Sequence, residues 1–294
     1  MSITTVGAWE ALGQYRTLRG HRIFTVDAPP IGNERHEPLL VLHGFPTSSF
    51  DFAGVLDPLR QGRRVLLLDG LGYGLSDKPD LPYTLALQAD VVEAFVAELA
   101  VTSVSLLTHD FGDTVGGELL ARRADGTWAA DVIRRVITNG SIYIEQAHLT
   151  NGQQLLLSLP DEKLPADAPM NAASLTRSLR DTYSPAALVA SDQLEATVAQ
   201  IMHDDGHLLL PRLIRYIEER RQNQARFTGA IESDPSPLHV AWGMDDPIAV
   251  ASMVDTLCAA RPDATVERLA GVGHYPMVEA PGRFVAAVRT GLGD

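Results

Sequence analysis

Two aspartates and a histidine occur in this chain in the order Asp110, Asp246, His274, and each follows a stretch that reads as a strand. The run LLTHDFGDTVGGELL (residues 106–120) reads as a strand, a tight turn with Gly112 two places after Asp110, and a helix. A strand–turn–helix of this form presents a nucleophile at its apex, most often the serine of G-x-S-x-G; here the apex is an aspartate. Taken alone, Asp110 could equally be a helix N-cap, which aspartate favours. Three further stretches lie where a nucleophilic aspartate needs them. LHGFP (42–46) follows an earlier strand, and the Phe45 N–H there, with the Phe111 N–H after the nucleophile, could hold an oxyanion. GMDDPI (243–248) supplies an acid, Asp246, directly after another strand, whereas Asp245 reads as solvated loop charge. GVGHYPMVEAP (271–281) places His274, the last histidine of the chain, in a glycine-rich loop.

A carboxylate is a poor nucleophile for acyl carbon, because the product would be a mixed anhydride. It suits attack on saturated carbon, which gives an ester that water can open. His274, oriented by Asp246, would activate that water toward the Asp110 ester carbonyl, and the N–H groups of Phe45 and Phe111 would hold the oxyanion that forms.

The elements that must position these groups are legible as periodicities. QYRTLRG and HRIFTVDA read as two strands about a turn at Gly20. PLLVLHG (38–44), RRVLLLDG (63–70), VSLLTHD (104–110) and RRVITNG (134–140) read as buried parallel strands. Helical periods fill 84–100 and 113–126, so strands alternate with helices as in a parallel sheet covered on both faces. From Ser141 to Pro237 no strand is predicted; the stretch reads as helices with a proline-punctuated break at 158–170. Strand character returns with LHVAWG (238–243) and TVERLAG. The expected organisation is an α/β core of residues 1–140 and 238–294, interrupted by a helical cap over 141–237.

In order along the chain, HGFPTSSFDF, DGLGYGLSDKP, HDFGD, WGMDDP and GHYPMVEAP resemble the α/β-hydrolase superfamily. The likeness is to its epoxide hydrolase and haloalkane dehalogenase branch, in which the nucleophile is aspartate. HDFGDTVGGELLARR, ITNG and RYIEERR are similar in particular to its mesoderm-specific transcript group. The resemblance implies an α/β-hydrolase fold: a mostly parallel sheet flanked by helices, with an inserted helical cap. Asp110 would be the nucleophile, His274 the base and Asp246 the orienting acid. Glu145, after the sixth strand, is a reserve for the acid, because some members of the branch draw theirs from that loop.

Epoxide and haloalkane substrates then differ in their leaving groups. Dehalogenases of the branch hold the halide with a tryptophan N–H after the nucleophile and another side-chain donor. Phe111 and Phe45 occupy those positions, and neither side chain donates. Fluoroacetate-type dehalogenases carry arginines just after the nucleophile, and DFGDTVGGE has none. An epoxide leaves as a basic alkoxide and needs a proton donor. The resemblance implies cap tyrosines for that task, of which Tyr216 in LIRYIEERR matches in place. Tyr143, Tyr183 and His148 are candidates for the second donor and, with Phe45 and Phe111, for lining the substrate site. The expected activity is hydrolysis of a small or medium apolar epoxide to a diol, without metal or organic cofactor. The alternatives are a haloalkane dehalogenase or a ligand-binding protein that keeps the fold without turnover.

Other residues read more plainly. Asp69, Ser76 and Asp77 belong to turn chemistry, Asp113 to the first turn of the elbow helix, His109 to support of the elbow, and EERRQNQAR (218–226) to a solvated helix face. The single cysteine, Cys258, excludes an intramolecular disulfide. A formal charge of −13 argues against a polyanionic partner such as nucleic acid. No apolar run approaches the ~18 residues of a membrane span, and the N-terminal residues lack the pattern of a signal peptide. A soluble cytoplasmic protein, monomer or homodimer, taking a small apolar molecule is expected.

Overall fold

The computed structural model describes residues 5–294. Eight strands form one sheet: β1 (Gln14–Leu18), β2 (His21–Ala28), β3 (Leu39–Leu42), β4 (Val65–Leu68), β5 (Ser103–His109), β6 (Asp131–Thr138), β7 (Leu238–Gly243) and β8 (Thr265–Leu269). They lie in the order β1-β2-β4-β3-β5-β6-β7-β8. β2 pairs antiparallel with β1 and β4, and every pairing from β4 to β8 is parallel. All four residues of β3 and of β4 are buried, which explains why these strands read as unbroken apolar runs.

Because β3 and β5–β8 run in the same direction, their C-terminal ends share one edge of the sheet, where parallel sheets place their working residues. Leu42 pairs with Thr108, His109 with Thr138, and Gly243 with Leu269. The register therefore brings the segments that follow (Phe45, Asp110, Asn139, Asp246 and His274) to a common edge, although they lie far apart in sequence.

Between β6 and β7, which are neighbours in the sheet, the described residues form helices and no strand. Helix Asn151–Ser158 starts with a reciprocal Thr150–Gln153 capping box, and helix Ala172–Arg180 with Asn171 accepting from the Ser174 N–H. Ser191–Met202 follows. Asp204 and Asp205, at φ of 47° and 59°, separate it from the last helical stretch, and Asn223 divides that stretch into helix Tyr216–Gln222 and helix Gln224–Ser233. The chain then returns to the sheet past the buried Arg135. That guanidinium donates to the carbonyls of Ile231 and Asp234 at 2.9 Å each and to Ser236 Oγ at 2.8 Å. No helix among the described residues is long and apolar enough to cross a membrane.

Candidate active site

Asp110 sits at the turn from β5 into helix Phe111–Ala124 with φ 51° and ψ −112°, backbone values that a side-chain-bearing residue rarely adopts. Close packing fixes the turn. A Cβ on Gly112 would lie 2.4 Å from the Leu42 carbonyl oxygen, and one on Gly44 would lie 2.8 Å from His109 Cδ2 and 3.0 Å from Asp110 Cβ. The two glycines thus let the loop after β3 touch the elbow. In that position the Phe45 N–H donates to Asp110 Oδ2 at 2.9 Å. The Phe111 N–H opens its helix directly after Asp110 and has no intrahelical acceptor.

On the other side, His274 Nδ1 bonds to Asp246 Oδ2 at 2.7 Å. Asp246 is buried and fully engaged. Its Oδ1 accepts the N–H groups of Ile248 (2.7 Å) and Ala249 (3.0 Å), and its Oδ2 also accepts from Asn139 Nδ2 (2.8 Å). Burial by itself lowers the basicity of His274. The charge and hydrogen bond of Asp246, together with the Asp110 charge, outweigh it and raise the pKa to about 9. The imidazole is therefore protonated at neutral pH. His109, whose ring lies 5.0 Å from that of His274, is driven the opposite way by burial and by the His274 charge and stays neutral. Its Nδ1 lies 3.2 Å from the Thr138 carbonyl, which assigns the proton to Nδ1 and leaves Nε2 a buried lone pair without a partner.

Tyr216 is buried with its ring centroid 5.1 Å from that of Phe111, which follows Asp110, and 5.7 Å from that of Phe45, whose N–H donates to it. Burial, then the Asp110 charge, hold its phenol in the neutral, proton-bearing form. Tyr183 lies on the His274 side, its ring 5.5 Å from that of Tyr275, and the neighbouring Thr182 carbonyl accepts the backbone N–H of His274 at 3.2 Å.

The sequence profile of the Alpha/beta hydrolase family matches residues 39–288. The chain belongs to that family. LipZ of Mycobacterium tuberculosis (strain ATCC 25618 / H37Rv) is 36% identical over 295 residues, covering 100% of both chains. The mesoderm-specific transcript homolog protein of Homo sapiens is 32% identical over 287 residues, 95% of this chain and 85% of its own. Among solved structures, an alpha/beta hydrolase fold protein from Burkholderia ambifaria superposes with a TM-score of 0.77 at 24% identity, covering 94% and 97% of the two chains. The strand order and the helices flanking the sheet are accordingly those of an α/β-hydrolase fold.

Within this α/β hydrolase, three of the expected site residues stand elsewhere. Glu145 is exposed and accepts from Gln224 Nε2 at 3.1 Å, so the acid beside His274 is Asp246. Tyr143 is buried, but its hydroxyl donates to Glu232 at 2.7 Å and lies away from Asp110's surroundings. His148 is exposed beside Pro247, its N–H bonded to the Ile248 carbonyl at 3.0 Å. All three belong to the irregular segment after β6, whose course is set by these remote partners.

In the 218–226 stretch Arg221, Gln222, Asn223, Ala225 and Arg226 are exposed, as expected of a solvated face, but Arg220 is not. Arg220 is 1% exposed, donating from Nε to Thr114 Oγ1 and from Nη1 to the Ser141 carbonyl at 2.7 Å each, and its guanidinium lies 5.0 Å from the Tyr216 ring. Asp113 does lie in the first turn of the elbow helix, but it is buried there, burial raises its pKa strongly, and Thr108 donates to it. Asp69 does hold a turn, accepting the N–H groups of Ser49 (2.9 Å) and Leu75 (2.8 Å). Two site residues escape motif reading. Asn139 stands in the ITNG stretch right after β6, and Tyr275 follows His274 and donates its hydroxyl to the Phe45 carbonyl at 3.3 Å.

A cavity of about 350 Å³ opens beside this cluster. Phe45, His274 and Tyr275 form its inner end, and helices Asn151–Ser158 and Ala172–Arg180 contribute Leu156, Leu175 and Leu179. Asp110 and Tyr216 are not in its wall; Asp110 is 2% exposed, behind Phe45.

Proposed function

We propose that this α/β hydrolase opens an apolar epoxide to a diol through an ester on Asp110. The observation that carries the reading is the carboxylate at the elbow, bound by the Phe45 N–H at 2.9 Å, where most members of such a fold hold a serine. An Asp110 oxygen attacks a ring carbon, the C–O bond breaks, and the nascent alkoxide takes the Tyr216 proton. Forming the ester removes the Asp110 charge, one of the fields that keep His274 protonated. The proton His274 gives up restores the phenol of Tyr216. The neutral imidazole then draws a proton from water as that water attacks the ester carbonyl, and the N–H groups of Phe45 and Phe111 hold the oxyanion. On collapse the remaining proton of the attacking water passes to the departing alkoxide, so that the diol is released, Asp110 is regenerated as a carboxylate and His274 is again protonated.

Haloalkane dehalogenation would use the same ester but needs a donor for the departing halide, and the side chains of Phe45 and Phe111 offer none. Intact-protein mass spectrometry of His274→Ala after incubation with styrene oxide and, separately, with 1-bromobutane distinguishes the two. An adduct with the epoxide alone is expected. An adduct with the bromide alone would replace the reading by dehalogenation, and none with either would point to binding without turnover.

A further inference from the structure

We infer that the cavity beside His274 takes a neutral alkyl chain of roughly ten to twelve carbons, with its reactive end at Phe45 and His274. The inference rests on the proposed epoxide chemistry for what happens at that end, but not for what the rest of the cavity binds. The wall contains no aspartate, glutamate, lysine or arginine, and its titratable side chains are His274 and Tyr275, both at the inner end. Its polar side chains are largely occupied. Thr150 and Gln153 satisfy each other's backbone N–H groups, Ser174 donates to the Asn171 carbonyl at 2.8 Å, and Thr182 donates to the Leu179 carbonyl at 2.6 Å. Tyr275 is spent on the Phe45 carbonyl. Little is left to recognise a charge or a set of hydroxyls, and what faces the cavity is leucine.

Shape narrows the choice further. The inner end is closed by buried residues, whereas Leu155, 59% exposed, and the exposed Pro169 and Ser178 mark the open end. A three-membered ring fills a small part of 350 Å³. At about 30 Å³ per water-sized group, the space holds roughly a dozen methylene-sized groups. A charged or bulky head group is tolerated beyond Leu155 and excluded at the inner end.

Two measurements on the full-length protein test this. Across 1,2-epoxyalkanes from butane to tetradecane, kcat/KM is expected to rise about three- to fourfold per methylene and to level off near a dozen carbons. In parallel, 1-alkanols of the same lengths should displace the neutral fluorophore N-phenyl-1-naphthylamine with the same dependence on length, a readout that needs no chemistry. Leu175→Phe should shorten the plateau length and spare the short alkanols. Leu155→Asp, at an exposed site where folding is not at stake, should weaken only the long ones. Displacement that is equal for butanol and dodecanol would overturn the inference whatever the turnover. Length-dependent displacement without turnover of any epoxide would sustain the chain site and refute the epoxide reading instead.

Discussion

Asn139 donates from Nδ2 to Asp246 Oδ2 over 2.8 Å, the same oxygen that binds His274 Nδ1 at 2.7 Å. The asparagine, at φ 43°, is itself locked by the backbone of β7: its Oδ1 accepts the Gly243 N–H at 2.8 Å and its Nδ2 reaches the Gly243 carbonyl at 3.0 Å. The end of β6 thus orients the acid carried by the end of β7, and that acid orients the base after β8. The backbone donors on Oδ1 and the two side chains sharing Oδ2 leave the Asp246 carboxylate one orientation.

Asn139→Ala should therefore act through His274. An unpaired buried donor or acceptor costs about 1–3 kcal/mol, so a loss of roughly 10- to 100-fold in kcat is expected. With one donor gone from Oδ2, more of the Asp246 charge falls on the imidazole, and the acidic limb of the pH–rate profile should move upward. A fall in kcat with no movement of that limb would assign Asn139 a role in folding alone.

Tyr216→Phe removes one hydroxyl and keeps the ring between Phe45 and Phe111. General-acid contributions run to ~100-fold or more. A fall of that size in kcat/KM for epoxides is expected, with the thermal midpoint near that of the wild type. Unchanged turnover would remove Tyr216 from the ring-opening step.

The pKa of His274, raised from 6.5 to about 9, links the site to stability. A raised folded-state pKa stabilises the native protein fully below about 6.5, and that contribution is lost as pH climbs through about 9. It amounts to roughly 3 kcal/mol at most. Denaturant titrations of wild type and His274→Ala should differ most near pH 6 and converge by pH 10. In Asp110→Asn, which mimics the neutral ester, the imidazole should titrate below its wild-type value by NMR. A value unchanged or higher would contradict the charge coupling between the two residues.

Gly112→Ala tests the elbow itself. The new Cβ would meet the Leu42 carbonyl oxygen at 2.4 Å, a backbone atom of β3 that has no room to yield. Overpacking of this kind costs about 1–3 kcal/mol. A lower thermal midpoint and activity reduced with every substrate are expected, and a variant stable and active as wild type would show that the elbow relaxes.

β3, β4, β5 and β7 could be read directly because a parallel strand buried on both faces is an unbroken apolar run, and Asp110 and Asp246 follow such runs. β8, TVERL, is mostly exposed, and His274 is legible instead as the last histidine, in a glycine-rich loop. Asn139 lies just as close to β6. Its meaning, however, depends on β6 and β7 being neighbours across an insertion of helices, which no local pattern encodes. Glu145, Tyr143 and His148 were placed by proximity to β6, yet their directions are fixed by Gln224, Glu232 and Ile248. Arg220 looks solvated in a run of mixed charges because the residues that bury it, Thr114 and Ser141, come from the elbow helix and the loop after β6. Likewise a helical period over 206–231 cannot show the break at Asn223, which separates helix Tyr216–Gln222 from helix Gln224–Ser233.

The claim on which the account turns is that Asp110 is alkylated and then deacylated at its own carbonyl carbon. A single turnover of 1,2-epoxydecane in ¹⁸O-water, with enzyme in excess, tests it most directly. The account predicts one ¹⁸O atom in the peptide carrying Asp110 and none in the diol of that first turnover. Label in the diol with none in the Asp110 peptide would mean that water attacks the epoxide itself, and would contradict the account.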